Sequence, residues 1–154
     1  MTISPSIIER LTALGKEALK SGDVPIAAVV LYNGEVIGEG YNTVLRTGNA
    51  GEHAEVNAIS AAVRSVGAEK FRTLDRKELL LISTFEPCVM CIGACINHGI
   101  TRVGYLQPKT GRDRWKDLRA AFLHILRRER VPNSGEQIEL FRLHPDFGKQ
   151  RGYQ

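Results

Sequence analysis

The sequence has few long hydrophobic runs and few cysteines, and each shortage excludes a class of protein. Its apolar runs, such as residues 26–31 and 79–82, are far shorter than the roughly 20 residues that a membrane-spanning helix requires. The first residues contain no basic segment that leads into an apolar stretch, so we expect no signal peptide. These observations favour a cytoplasmic protein that does not interact with membranes.

The chain has only three cysteines, and Cys88, Cys91 and Cys95 all lie in one short stretch. An odd, clustered set argues against the disulfide framework of a small secreted domain. In a reducing compartment, this spacing is typical of metal binding or of redox chemistry.

Hydrophobic residues make up 43% of the 154 residues and charged residues 25%, the balance of a globular protein. No repeat or linker interrupts the chain, so we expect a single domain over residues 1–154. The net charge of +4 is uneven, because residues 1–100 carry −2 (9 Lys/Arg, 11 Asp/Glu) and residues 101–154 carry +6 (12 and 6). The basic C-terminal third is either a solvated surface or a site for phosphate or RNA.

Hydrophobic periodicity predicts the element order αββαβαβαβ. Helices are expected over residues 5–22, 53–67 and 88–99 and around 115–126, and strands over 24–32, 35–41, 78–84, 101–106 and 137–143. Asn33-Gly34 is a strong hairpin turn between the first two strands, and residues 42–52 are expected to form a loop. Trp115, Phe122 and Leu126 follow helical spacing and are expected in the core.

The order of these elements indicates the fold class. Because helices separate the last three strands, these strands should run parallel, joined by right-handed crossovers. We therefore predict an α/β fold with three layers, α/β/α, around one mixed five-stranded sheet.

Two short motifs indicate chemistry, and each begins at a predicted helix N-terminus: His-Ala-Glu at residues 53–55 and Pro-Cys-x-x-Cys at residues 87–91. Cys88 and Cys91 are three residues apart, so one helical face presents both sulfurs, whose thiolates the helix dipole stabilises. Two thiolates and the imidazole of His53 suit Zn²⁺ and leave its fourth tetrahedral position open for water. An open position is typical of a catalytic zinc.

Glu55 lies two residues beyond His53, near the predicted metal but offset from the ligand direction. A carboxylate there can take a proton from a zinc-activated water and return it to a substrate. The pattern favours a hydrolytic reaction in which Glu55 carries protons.

The H-x-E and P-C-x-x-C motifs resemble those of the cytidine deaminase superfamily, especially its branch of tRNA adenosine, guanine and zinc cytosine deaminases. The resemblance covers roughly residues 24–105 and implies a cytidine-deaminase-like fold, a Zn²⁺ cofactor and a homodimer. It assigns His53, Cys88 and Cys91 as zinc ligands and Glu55 as the catalytic proton shuttle. It also implies two substrate-binding positions, Asn42 at the end of the second strand and the backbone near Ala54.

For the substrate, the resemblance implies a nucleobase or nucleoside, with a purine such as guanine slightly favoured over cytosine because Glu86 matches the purine branches. The alternative is a tRNA-specific adenosine deaminase, because the segment Lys109-Thr110-Gly111 resembles the corresponding segment of those enzymes. Against it, Gly51-Glu52 replaces the usual Thr-Ala, and the chain ends in a short polar tail where tRNA enzymes have a basic helix.

Several alternatives stay open. Cys95 could complete a closed structural zinc site, and Asn42 could be only a turn residue. Asp146 and Phe147 either close over a bound base or pack on the domain. The non-enzyme alternative is a zinc-stabilised binding module of the same fold.

Overall fold

The computed structural model describes residues 3–126, which form six helices and four strands. These elements are, in chain order, α1 Pro5–Lys20, β1 Ala27–Tyr32, β2 Glu35–Tyr41, α2 Val44–Thr47, α3 Ala54–Val66, α4 Ala68–Thr73, β3 Leu79–Phe85, α5 Val89–Asn97, β4 Arg102–Gln107 and α6 Gly111–Leu126. Within this part of the chain, no helix is long and apolar enough to cross a bilayer.

The four strands form one mixed sheet in the order β2-β1-β3-β4. β1 pairs antiparallel with both β2 and β3, whereas β3 and β4 run parallel with Ser83 opposite Tyr105. The predicted parallel arrangement of the third and fourth strands is therefore confirmed. The fifth predicted strand, over residues 137–143, lies outside the described residues.

Both faces of the sheet are covered by helices. On one face, a cluster of buried residues joins β1 and β3 to α3, α4 and α5. On the other face, Leu11 and Leu14 of α1 pack against alternate residues of β1 and against Ile82 of β3. The near-continuous apolar strands follow from this burial on two sides, and the α/β fold with helical layers is confirmed.

The region predicted as a loop over residues 42–52 contains the short helix α2. Its first N–H groups are bound by side chains: Asn42 Oδ1 accepts from Val44, and Asp23 Oδ1 accepts from Leu45 at 2.7 Å. A helix of four residues is too short to show hydrophobic periodicity, so the sequence pattern could not predict α2. Its stabilising partner Asp23 is also distant in sequence.

The prediction that Trp115 belongs to the core is wrong. In α6, the side chains of Trp115 and Leu118 are 73% and 61% exposed. Helical periodicity shows that one face of a helix is apolar, but it does not show what that face packs against. The side chains of Phe122 and Leu126 lie outside the described set.

The chain divides into two compact units, Met1–Ala121 and Phe122–Gln154. The sheet and the helices α1 to α5 belong to the first unit, and only the end of α6 is described in the second. The single domain expected over residues 1–154 stays a prediction.

The close approach of α3 to the sheet depends on two glycines of β2. Gly38 and Gly40 are both buried and face α3. A Cβ atom on Gly38 would lie 2.3 Å from the Ala62 nitrogen, and one on Gly40 would lie 2.5 Å from the Ala58 nitrogen. Because these neighbours are helix backbone, any larger residue would push α3 away from the sheet.

We expect Gly38→Ala to lower the free energy of unfolding by about 1–3 kcal/mol or more, because the added methyl overlaps the α3 backbone. Urea unfolding measures the change. Gly93→Ala in α5 is the matched control, since a Cβ there meets nothing within 4 Å. The control should be neutral or stabilising by up to about 1 kcal/mol. Equal stability of both variants would contradict the close packing.

Candidate metal centre

Two helix N-termini meet at the predicted metal site. His53 is the N-cap residue of α3, and Cys88 is the N-cap residue of α5. Cys91 follows in the first turn of α5. Both caps have extended backbone, so each motif begins where a helix starts, as the sequence predicts.

The structure brings the three predicted ligand atoms together. His53 Nδ1 lies 3.6 Å from Cys88 Sγ and 3.5 Å from Cys91 Sγ, and the two sulfurs are 3.4 Å apart. Tetrahedral bonds of about 2.3 Å to sulfur and about 2.0 Å to nitrogen would place ligand atoms about 3.5–3.8 Å apart. The donor set and its spacing therefore fit a zinc ion, and no other such group occurs among residues 3–126.

The two thiols differ in acidity because they share one hydrogen bond. The hydrogen bond between the two sulfurs, with the nearby His53, lowers the pKa of Cys88 to about 5. The same bond, burial and the Glu55 carboxylate raise the pKa of Cys91. A thiolate is thus available at neutral pH, and binding a metal would displace the proton from Cys91.

Glu55 lies beside the cluster but outside the ligand group. Its side chain is buried, with a residue exposure of 4%, and Oε2 is 3.4 Å from Cys91 Sγ. The other oxygen, Oε1, accepts a hydrogen bond of 3.2 Å from the hydroxyl of Ser83. The carboxylate is therefore held next to the ligands with one oxygen facing them.

Asn42 lines a small cavity of about 170 Å³ next to these residues. Its Oδ1 accepts the N–H of Val44 at 3.0 Å, and its backbone N–H donates to Ile26. Its side-chain NH₂ has no partner among the described residues and is the group left to donate to a ligand. The turn role and a binding role therefore use different atoms of the same amide.

The cavity is bounded by apolar side chains, by an amide and by ionisable groups. Its lining residues are Ile26, Asn42, His53, Glu55, Phe85, Glu86, Cys88 and Lys109.

Ala54 is not among the residues that line the cavity, because its methyl is fully buried in the core. As the first residue of α3 it can offer only its backbone N–H, which has no acceptor within the helix. A larger open groove, about 810 Å³, runs along β2 but lacks the three ligand residues.

Cys95 does not belong to the metal cluster. It is 1% exposed and packs in the core cluster with Leu79 and Ile100. Burial raises the pKa of its thiol to about 11. A closed site with Cys95 as a fourth thiolate therefore has no support in this arrangement.

The sequence did not reveal the ion-pair network that bounds the cavity. The Glu86 carboxylate accepts three hydrogen bonds from Arg114, at 2.8, 3.1 and 2.6 Å, and one from the Lys109 backbone at 2.9 Å. The bond from Arg114 lowers the pKa of Glu86. The Lys109 ammonium pairs with Asp117 at 2.6 Å. These contacts hold the end of β3 to the start of α6.

Comparison with known proteins places this site in a family. Residues 2–107 match the family described as "Cytidine and deoxycytidylate deaminase zinc-binding region". Among curated relatives, the tRNA-specific adenosine deaminase 2 of Xenopus laevis is 37% identical over 82 residues, 53% of this chain. The chain spans about half of that relative's length, 47%.

Two solved structures share the fold. A guanine deaminase from Bacillus subtilis is 25% identical with a TM-score of 0.71, and the match covers 99% of this chain and 100% of that one. A tRNA:A34 deaminase, studied for A-to-I editing of transfer RNA, is 28% identical with a TM-score of 0.58, covering 66% of this chain and 75% of that one. Because the family match spans most of the described fold, the chain belongs to the cytidine and deoxycytidylate deaminase zinc-binding family.

Proposed function

We propose that this protein is a zinc-dependent hydrolase that deaminates a nucleobase or nucleoside, with guanine as the first substrate to test. The observation that carries the proposal is the buried Glu55 carboxylate, held 3.4 Å from a ligand sulfur at the edge of a small cavity. A structural zinc site has no use for a buried acid in that position.

His53, Cys88 and Cys91 would hold the zinc ion through the three atoms that the structure brings together. A zinc ion with three protein ligands supplies an activated water nucleophile at neutral pH. Glu55 Oε2 faces the ligand cluster, so this oxygen is placed to accept a proton from the water and pass it on. As the water oxygen bonds to the ring carbon, the first proton would go to the ring nitrogen. The second proton, from the hydroxyl added to that carbon, would go to the amino group, which leaves as ammonia while the carbon becomes a carbonyl.

Asn42 and the apolar walls would orient the ring. The free NH₂ of Asn42 can donate to a ring or carbonyl acceptor, and Ile26 and Phe85 offer apolar surface to the faces of a base. The cavity, about 170 Å³, is smaller than the roughly 300–1,000 Å³ of typical ligand pockets. A single base suits that volume better than an extended ligand.

Guanine comes first because the likeness to a guanine deaminase extends over 99% of this chain and all of that one. Among residues 3–126, Lys109 lines the cavity and is paired with Asp117, and Arg114 is paired with the lining residue Glu86. An RNA-binding site needs cations that are free to meet phosphates.

Deamination of adenosine in tRNA is the second proposed function. It is supported by the 37% identity to a tRNA-specific adenosine deaminase 2 and by the likeness to a tRNA:A34 deaminase. The basic residues Arg127, Arg128 and Arg130 and the tail with Asp146 and Phe147 lie outside the described residues. A homodimer and a cytoplasmic location stay predictions from the sequence. The non-enzyme alternative, a zinc-stabilised binding module, would be favoured if the next experiment found no dependence of function on Glu55.

We expect Glu55→Gln to retain one zinc per chain and to lose turnover by about 10²- to 10⁴-fold, because the amide cannot carry the proton. Cys88→Ala should instead lose the metal, since two ligands remain. Metal analysis of the purified proteins and an ammonia-release assay make the two measurements. A Glu55→Gln protein with near-normal turnover would refute the assigned chemistry.

Asn42→Asp separates the turn role of Asn42 from its binding role. The carboxylate keeps an acceptor for the Val44 N–H but removes the NH₂ donor. We expect the variant to fold and to lose at least about tenfold in kcat/KM, as sites built to hydrogen-bond a substrate do when a partner is missing. Circular dichroism and steady-state kinetics provide the readouts. Unchanged kcat/KM would mean that Asn42 is a turn residue only.

A substrate panel distinguishes the two proposed functions. The zinc-loaded protein is assayed with guanine, cytosine, adenine, their nucleosides and a tRNA anticodon stem-loop. Turnover of a free base that hardly responds to salt is the expected result. An RNA held through several phosphate contacts would lose affinity by about 10³-fold or more between about 50 and 200 mM salt. Turnover of the stem-loop alone, with that salt dependence, would favour the tRNA function.

A further inference from the structure

Ser83 is a polar residue in an apolar position of β3. Leu79 and Leu81 are fully buried on the face of the strand that packs against α3, and Ser83 continues that alternation with 0% exposure. A hydroxyl so deeply buried costs free energy unless it forms a hydrogen bond. The Ser83 hydroxyl therefore requires a hydrogen-bond partner inside the protein.

The hydroxyl has two acceptors within reach and one proton to donate. Glu55 Oε1 lies at 3.2 Å, and the carbonyl oxygen of Ala27 lies at 3.4 Å. The carboxylate is nearer and is the stronger acceptor when it is ionised. The hydrogen bond between Ser83 and Glu55 is thus the favoured one.

We propose that Ser83 is a positioning residue for Glu55. The terminal torsion of a glutamate side chain is soft, so a carboxylate without a partner can rotate. The bond from Ser83 to Oε1 fixes this rotation and turns Oε2 towards Cys91 and the metal ligands. The inference rests on the deaminase function proposed above, because it makes the placement of the proton-carrying oxygen depend on β3.

A neighbouring hydroxyl provides a matched control. Thr84 lies next to Ser83 on the same strand, and its side chain points to the other face of the sheet. Its Oγ1 accepts the N–H of Ala27 at 3.1 Å, and it has no hydrogen bond to Glu55. Thr84→Val therefore removes a hydroxyl from the same end of the strand without touching the carboxylate.

Kinetics of the zinc-loaded variants test the role. We expect Ser83→Ala to keep its zinc and its KM while kcat falls by about 10- to 100-fold, since small misplacements of a reacting group are costly. Ser83→Thr, which retains the hydroxyl, should recover most of the lost kcat, and Thr84→Val should keep kcat within about twofold of the parent protein. A Ser83→Ala protein with the kcat of the parent would overturn the proposal.

A double-mutant cycle on stability tests the contact without any assay of activity. Urea midpoints are measured for zinc-loaded Ser83→Ala, Glu55→Ala and the double variant, with Thr84→Val replacing Ser83→Ala in a parallel cycle. The Ser83 and Glu55 effects should be non-additive, whereas the Thr84 and Glu55 effects should add. Additive effects in both cycles would show that Ser83 only fills space. If the parent protein deaminates nothing, the proposed function fails, yet this cycle still decides whether Ser83 holds Glu55.

Discussion

The close contact between α3 and the sheet is the constraint on which the rest of the site depends. Gly38 and Gly40 leave no side chain between β2 and the helix, so the backbone of α3 lies against the strand. This contact sets the depth at which the first turn of α3 is buried. His53 and Glu55 belong to that turn, and they reach β3 and α5 only because the helix lies so close.

Burial of Glu55 then becomes the main energetic cost of the site. A carboxylate removed from water is unfavourable unless polar groups replace its hydration. Here the hydroxyl of Ser83 and the thiol of Cys91 approach its two oxygens. A cation held by the neighbouring ligands would offset the same cost. The residues that suit the proposed chemistry are thus also those that make the buried acid tolerable.

The end of β3 connects the candidate metal ligands to the cavity. Cys88 follows β3 after Glu86, whose carboxylate is bound by Arg114 and by the backbone of Lys109. These bonds hold the β4–α6 connection against the strand that leads to the metal ligands. A shift of the backbone at the end of β3 would move Glu86, which lines the cavity, together with Cys88 of the candidate metal site. The shape of the cavity and the geometry of the ligands are therefore linked.

The sequence alone determined which three side chains form the candidate metal site, the acid beside them, the hairpin and the parallel pair of β3 and β4. These features follow from local spacing: the periodicity of strands and helices, and cysteines three residues apart at a helix start. Tertiary structure decided the rest. The bond between Ser83 and Glu55 joins residues 28 apart, as does the pair of Glu86 and Arg114, and no local pattern encodes such pairings. The exposure of Trp115 likewise depends on what its helix packs against, which periodicity does not specify.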